Sequence, residues 1–344
     1  MTRIDCALAL ALALLGTRSA PAQTCTPFGD TPATLIDSTA PACTGGSLVG
    51  PWSDPDGTPR WACLWTPSAP SARPLPLLVY LHPSLSTSNG AQANTNLLSF
   101  IDTANLSGDP SLPGFILLAP EGRNTTHHYP APDQKGTGWD HWYRQFNPAG
   151  DVTVNGTLYR ENVDAVAIDH FIAEQVATGK VDTQRIFLSG WSNGTSMAYE
   201  YALNRANVAA VAAYSGADPY QRTSDPCTQV PVTGVPSSNA QVRVYSPRVP
   251  TYQVHNNCDI GGMCPNVLRL ESRLTAFGAL ADDTIINASQ NAVSQCMAAC
   301  GTNPDGSPSN LLAATLGTSN HIRWPSDWTA EMLRFLAQHP LGAP

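Results

Sequence analysis

The chain has 344 residues, enough for one large domain or two small ones. Acidic residues outnumber basic ones 26 to 18, giving a net charge of −8, and Lys135 and Lys180 are the only lysines. No basic stripe is present, which argues against nucleic acid and anionic membrane surfaces as partners, and a 42% hydrophobic content argues against a disordered chain despite 30 prolines.

Residues 1–22 read as an export signal. Arg3 gives a basic start, Ala7 to Leu15 is an unbroken apolar run, and Ala20-Pro21-Ala22 offers small residues for cleavage. The run is too short to span a bilayer. The expectation is a secreted, extracellular, monomeric protein with one domain over residues 23–344. Cysteine usage agrees. Cys6 leaves with the signal, and Cys25, Cys43, Cys63, Cys227, Cys258, Cys264, Cys296 and Cys300 allow up to four disulfides. Cys258 and Cys264 flank a loop, while Cys296 and Cys300 lie one helical turn apart, so the loop pair is expected to bond to the helix pair. No C-x-x-C pair occurs and the histidines do not cluster with cysteines, so no metal and no cofactor is expected.

Residues 23–70, rich in Pro, Gly and Cys, suggest an N-terminal layer of short strands, with residues 61–65 one of them. Strand and helix patterns then alternate. Leu75 to Leu81 and Phe115 to Ala119 are apolar strands, with a helix expected over Ala91 to Leu106 between them. Residues 129–156 have no clear period and suggest a long loop over a site. A helix follows over Glu161 to Thr178, then a strand over Arg185 to Ser189, a helix over Thr195 to Ala206, and strands over Val208 to Tyr214, Thr251 to His255 and Leu311 to Leu316. A helix over Trp324 to Gln338 closes the chain. Apolar strands alternating with helices indicate an α/β fold with a mostly parallel sheet covered on both faces.

The strongest local signal is Gly190-Trp191-Ser192-Asn193-Gly194, a G-x-S-x-G between an expected strand and an expected helix. Such a turn lifts a serine hydroxyl clear of the sheet, and glycines flank it because side chains there would collide. Ser192 is the candidate nucleophile, and the N–H of Asn193, at a helix start, is a candidate oxyanion donor. In the α/β-hydrolase class the chain order is Ser, acid, His. Of the histidines after Ser192, His321 lies in a loop directly before the last helix. His255 ends a strand, and His339 lies beyond that helix. Asp259, just past a strand, is the favoured acid, with Asp218 after the preceding strand and Asp282 or Asp283 in a helix-to-strand turn as rivals. The second oxyanion donor is sought in Leu81-His82-Pro83-Ser84. Pro83 has no N–H, which leaves Ser84.

The segments PLLVYLHPS, ENVDAVAIDHFI, VDTQRIFLSGWSNGTSMAYEYA, VAAYSGA, VHNNCD and HIRWP resemble secreted polyhydroxybutyrate depolymerases and feruloyl esterases. The likeness runs from about Leu75 to Phe335 and is most specific from Val181 to Tyr199. It implies an α/β-hydrolase fold and a triad of Ser192, Asp259 and His321, with Trp324-Pro325 following the base as in that family. Gly138-Trp139-Asp140-His141-Trp142 stands where these enzymes carry a Trp-bearing loop near the substrate. Trp139, Trp142, Trp191 and Trp324 are therefore candidate substrate-binding residues, core packing being the alternative. Two positions depart from the pattern: Pro83 replaces a glycine of the oxyanion loop, and Asn256 one before the acid. The implied activity is hydrolysis of carboxylic esters, with a polyester as first expectation. A feruloyl or acetyl ester of a plant polymer is the second, and an inactive binding module on the same scaffold the third. Among the N-x-S/T sequons, the one at Asn193 lies inside the turn itself.

Overall fold

The computed structural model describes residues 40–55, 57–124, 137–139, 152–154, 157–159, 163–216, 249–256, 274–275, 281–286 and 323–342. Its strands are β1 (Ser47–Ser53), β2 (Pro59–Trp65), β3 (Leu75–Leu81), β4 (Ile116–Pro120), β5 (Arg123–Asn124), β6 (Thr137–Gly138), β7 (Val152–Val154), β8 (Thr157–Tyr159), β9 (Val181–Gly190), β10 (Ala210–Tyr214), β11 (Thr251–Asn256) and β12 (Ala281–Ile286). Its α-helices are α1 (Gly90–Ala93), α2 (Val163–Ala177), α3 (Asn193–Leu203) and α4 (Thr329–Gln338).

One sheet runs in the order β1-β2-β4-β3-β9-β10-β11-β12. β1 with β2 and β2 with β4 pair antiparallel, and every later neighbour pairs parallel. The hydrophobic pattern explains why. All seven residues of β3 and all five of β4 and of β10 are buried, as in a sheet covered on both faces. Alternate residues divide between two cores. Leu77, Val79 and Leu81 pack with Phe171, Ile172, Met197 and Tyr201 from α2 and α3. Leu78 and Tyr80 pack on the opposite face with Leu97, Met332, Leu333 and Leu336. Each such side chain contributes roughly 1.5–3 kcal/mol by leaving water.

The order of strands, with the sharp turn after β9, is that of the α/β-hydrolase fold expected from the sequence. A disulfide joins Cys43 to Cys63 and ties the segment before β1 to β2. The other cysteines of the expected set, including the loop and helix pairs, lie outside the described residues.

Several boundaries differ from expectation. The helix expected over Ala91 to Leu106 is one turn of α1 followed by a 3-10 turn at Leu97–Phe100. Side chains between them compete for the backbone. Thr95 Oγ1 donates to the Ala91 carbonyl at 2.5 Å and accepts from the Leu97 N–H at 3.2 Å. Asn96 is committed across the chain, donating to the Ser326 carbonyl at 3.0 Å. The closing helix begins at Thr329 rather than Trp324, because a residue before proline is kept out of the helical region, here Trp324 before Pro325. Asp282 and Asp283 lie within β12, opposite Tyr252 and Gln253, not in a turn. Within residues 129–156, expected as loop, Thr137–Gly138 and Val152–Val154 form short strands. The strand expected over Leu311 to Leu316 lies outside the described residues.

Candidate active site

β9 carries the G-x-S-x-G to the C-terminal edge of the sheet. Its last residue, Gly190, stands opposite Leu81, the last residue of β3. Ser192 then takes φ 56° and ψ −120°, and α3 starts at the next residue. That region costs a non-glycine residue roughly 1–3 kcal/mol, so the surroundings must impose it. They do. The Trp191 N–H donates to the Leu81 carbonyl at 3.2 Å, and the Ser192 N–H donates to the Tyr214 carbonyl at 3.1 Å. The Thr195 hydroxyl donates to the same Tyr214 carbonyl at 2.7 Å. Both glycines are required by close approach: a Cβ at 194 would lie 2.1 Å from the Leu81 oxygen, and one at 190 would lie 2.6 Å from the Gly194 oxygen.

Beyond β3 the chain continues into His82-Pro83-Ser84-Leu85. His82 is fully buried. The Gly122 N–H donates to its Nε2 at 2.9 Å, so the ring proton sits on Nδ1, which donates to the Pro83 carbonyl at 2.8 Å. Burial pushes the imidazole pKa below its ordinary value, and the nearby Glu121 carboxylate opposes that shift. The Ser86 N–H donates to the Pro83 carbonyl at 3.2 Å and closes a turn in which Ser84 is half-buried.

The residue after the nucleophile has a second role that its motif does not announce. Asn193 Oδ1 accepts the Trp139 backbone N–H at 2.6 Å, and Nδ2 donates to the Trp139 carbonyl at 3.2 Å. The Trp139 indole N–H donates to the His82 carbonyl at 2.8 Å. Asn193, Trp139 and His82 therefore form one buried chain of hydrogen bonds from the start of α3 to the loop after β3. With its amide nitrogen engaged and the residue buried, the folded protein has no room for a glycan at Asn193.

A buried ion network lies behind this chain. Arg60 on β2 holds Asp54 Oδ2 at 3.2 Å and Asp164 Oδ1, from α2, at 2.5 Å. Arg123 approaches the same Asp54 oxygen at 3.5 Å. Glu121 Oε2 accepts the Ser88 N–H at 2.5 Å, and its carbonyl accepts from Arg60 at 3.1 Å.

Of the four candidate tryptophans, Trp139 is completely buried in the brace just described. Trp191 and Trp324 are each 6% exposed. Their rings lie 6.1 Å apart, and Trp324 also packs edge-on against Tyr80 and Tyr214, at 5.9 Å from each. The Trp324 indole N–H reaches Thr329 Oγ1 at 2.9 Å and Asn96 Oδ1 at 3.2 Å. Trp142, Asp218, Asp259 and His321 lie outside the described residues. His255 is buried on β11, and His339 closes α4 with Nδ1 at 2.8 Å from the Phe335 carbonyl. Among the described residues, no group of three or more His, Cys, Asp or Glu is arranged for a metal, and no helix is long and apolar enough to cross a membrane.

Sequence reasoning missed the roles of His82 and of the Asn193 side chain. Asn193 and Trp139 are 54 residues apart, and no local pattern links them.

No family model matches the sequence, and no curated protein matches it. Among solved structures the chain is similar to a thermostable esterase at 17% identity and a TM-score of 0.45, covering 78% of this chain and 61% of that one. It is similar to an acetyl xylan esterase from Aspergillus awamori at 17% identity and a TM-score of 0.48, covering 68% and 82%. A ferulic acid esterase aligns at 11% identity and a TM-score of 0.48, covering 84% and 99%. By its own sheet order and the turn at Ser192, independently of these alignments, the chain has the α/β-hydrolase fold.

Proposed function

We propose that the protein is a secreted serine esterase with Ser192 as nucleophile, His321 as base and Asp259 as the acid that orients it. The observation that carries this reading is the backbone of Ser192 itself, held at φ 56° between a strand end and a helix start. A strained, over-determined serine at that turn has its use in catalysis. Two further features support the partners. Trp324, three residues after His321, packs against Trp191, the neighbour of Ser192. β11 ends at Asn256, three residues before Asp259, and runs parallel to β10, itself parallel to β9.

In this reading the Ser192 oxygen attacks the ester carbonyl carbon while His321 accepts the hydroxyl proton. The carbonyl oxygen becomes an anion, stabilised by the N–H groups of Asn193 and Ser84. Collapse expels the alcohol, which takes the proton from His321, and leaves an acyl-enzyme. Water attacks that ester with His321 again as base, releasing the acid and restoring Ser192. Asn193 serves twice over, since its N–H faces the developing charge while its side chain fixes Trp139 and, through it, His82 and the oxyanion loop.

The first substrate class is a hydroxyalkanoate polyester, following the resemblance of the motif set. The test is a panel of p-nitrophenyl esters, polyhydroxybutyrate film and methyl ferulate, run on the parent chain, Ser192→Ala, Asp259→Asn and His321→Gln. Release of 3-hydroxybutyrate, abolished by Ser192→Ala, is the expected result. Release of ferulate alone would move the substrate to plant-polymer esters, and full activity of Ser192→Ala would end the reading.

A further inference from the structure

Leu48 and Leu85 are the two exposed large hydrophobics among the described residues, and Leu85 is the more exposed at 66%. Leu85 also has φ 63°. It occupies the third position of the turn closed by the Ser86 N–H on the Pro83 carbonyl, a place where positive φ calls for glycine or asparagine. A bulky side chain is a genuine outlier there. The conformation is fixed on both sides: the Leu85 N–H donates to the Thr137 carbonyl at 2.9 Å, and the Thr137 hydroxyl donates to the Ser86 carbonyl. The chain thus holds a leucine in a backbone state that leucine resists and leaves its side chain in water. Neither feature helps folding.

The location gives the feature a use. Leu85 follows His82 by three residues, and Thr137 precedes Trp139 by two. His82 and Trp139 are bonded to each other, and Trp139 to Asn193 beside Ser192. Leu85 is therefore bracketed by the two segments tied to the nucleophile's turn. Leu48, by contrast, lies on β1 at the edge of the sheet, three strands from β3.

We propose that Leu85 is a specificity-determining substrate contact, an apolar seat for a chain of several carbons on the ester whose carbonyl oxygen faces the 82–84 loop. This rests on the esterase reading. The chain can belong to the acyl or to the alcohol part of the ester, and the experiment separates the two. Leu85→Gly and Leu85→Asn both accept the positive φ and remove the apolar seat. They are compared with the parent on p-nitrophenyl acetate, butyrate and octanoate, and on methyl, butyl and octyl acetate.

The expected result has opposite signs for stability and selectivity. Tm holds or rises by about 1–3 °C as the strain is relieved. The ratio of kcat/KM for the longest to the shortest ester falls about tenfold in one series, since each buried methylene is worth about fourfold. A fall in the p-nitrophenyl series assigns the seat to the acyl chain, and a fall in the acetate series assigns it to the alcohol. Unchanged chain-length profiles in both series overturn the assignment of Leu85 and leave the esterase reading intact. A Tm lowered in both variants overturns it too, because the leucine would then be serving the fold. A parent inert toward every ester overturns the esterase reading and this inference with it.

Discussion

At the scale of single residues, the site depends on hydrogen-bonding side chains whose alternatives are costly. Asn193 satisfies both polar groups of the Trp139 peptide with one buried amide. Asn193→Ala removes both of these bonds between the start of α3 and Trp139. A displacement of about 1 Å in a catalytic constellation costs on the order of 100-fold. We expect kcat to fall by that order while KM moves far less, measured by steady-state hydrolysis of p-nitrophenyl butyrate. His82 gives a pH signature. Its folded pKa lies below the ordinary imidazole value of about 6.5 because burial disfavours the cation. Glu121 and Asp164 act to raise it, and Arg60 to lower it. Below about pH 6.5 the unfolded chain takes up a proton that native His82 refuses, so stability falls as pH falls through that window. Protonation would also turn Nε2 into a donor facing the Gly122 N–H. His82→Gln keeps an acceptor without the titration. Its Tm should drop less than the parent's between pH 7.5 and 5.5 in thermal unfolding scans, and equal drops would contradict the account.

Elements place these residues, and here the sequence is most and least informative. The central strands were legible because buried parallel strands are apolar on both faces, as in the run from Leu75 to Leu81. The nucleophile's turn was legible because its two glycines answer a steric demand that no other residue meets. Gly194 faces the Leu81 oxygen so closely that Gly194→Ala should cost about 3 kcal/mol or more, seen as a lower urea midpoint or loss of soluble protein. The segment from Gly90 to Phe100 was not legible as a helix breaker. Its apolar spacing is helical, but Thr95 and Asn96 bond to backbone and to residues more than 200 positions away. The brace from Asn193 through Trp139 to His82 was illegible for the same reason: its partners meet only in the folded chain.

On the scale of the whole molecule, the sheet separates two cores, and charge is buried beside the site. Arg60 joins Asp54, on the connection between β1 and β2, to Asp164 on α2. Its loss removes the cation that joins Asp164 to Asp54, while Asp54 keeps Arg123 at 3.5 Å, so Arg60→Met should cost about 3–5 kcal/mol in urea unfolding, and Asp164→Asn in that background should recover part of it. The fold class, the mostly parallel order and Ser192 at a strand-to-helix turn follow from periodicity and one five-residue motif. The substrate does not, because specificity depends on loops whose spacing carries no period. The most direct measurement of the central claim is covalent labelling of the full chain with a fluorophosphonate, followed by proteolysis and mass spectrometry. The account predicts one adduct, on Ser192, in step with loss of esterase activity. No adduct, or an adduct on another serine with Ser192 unmodified, would contradict it.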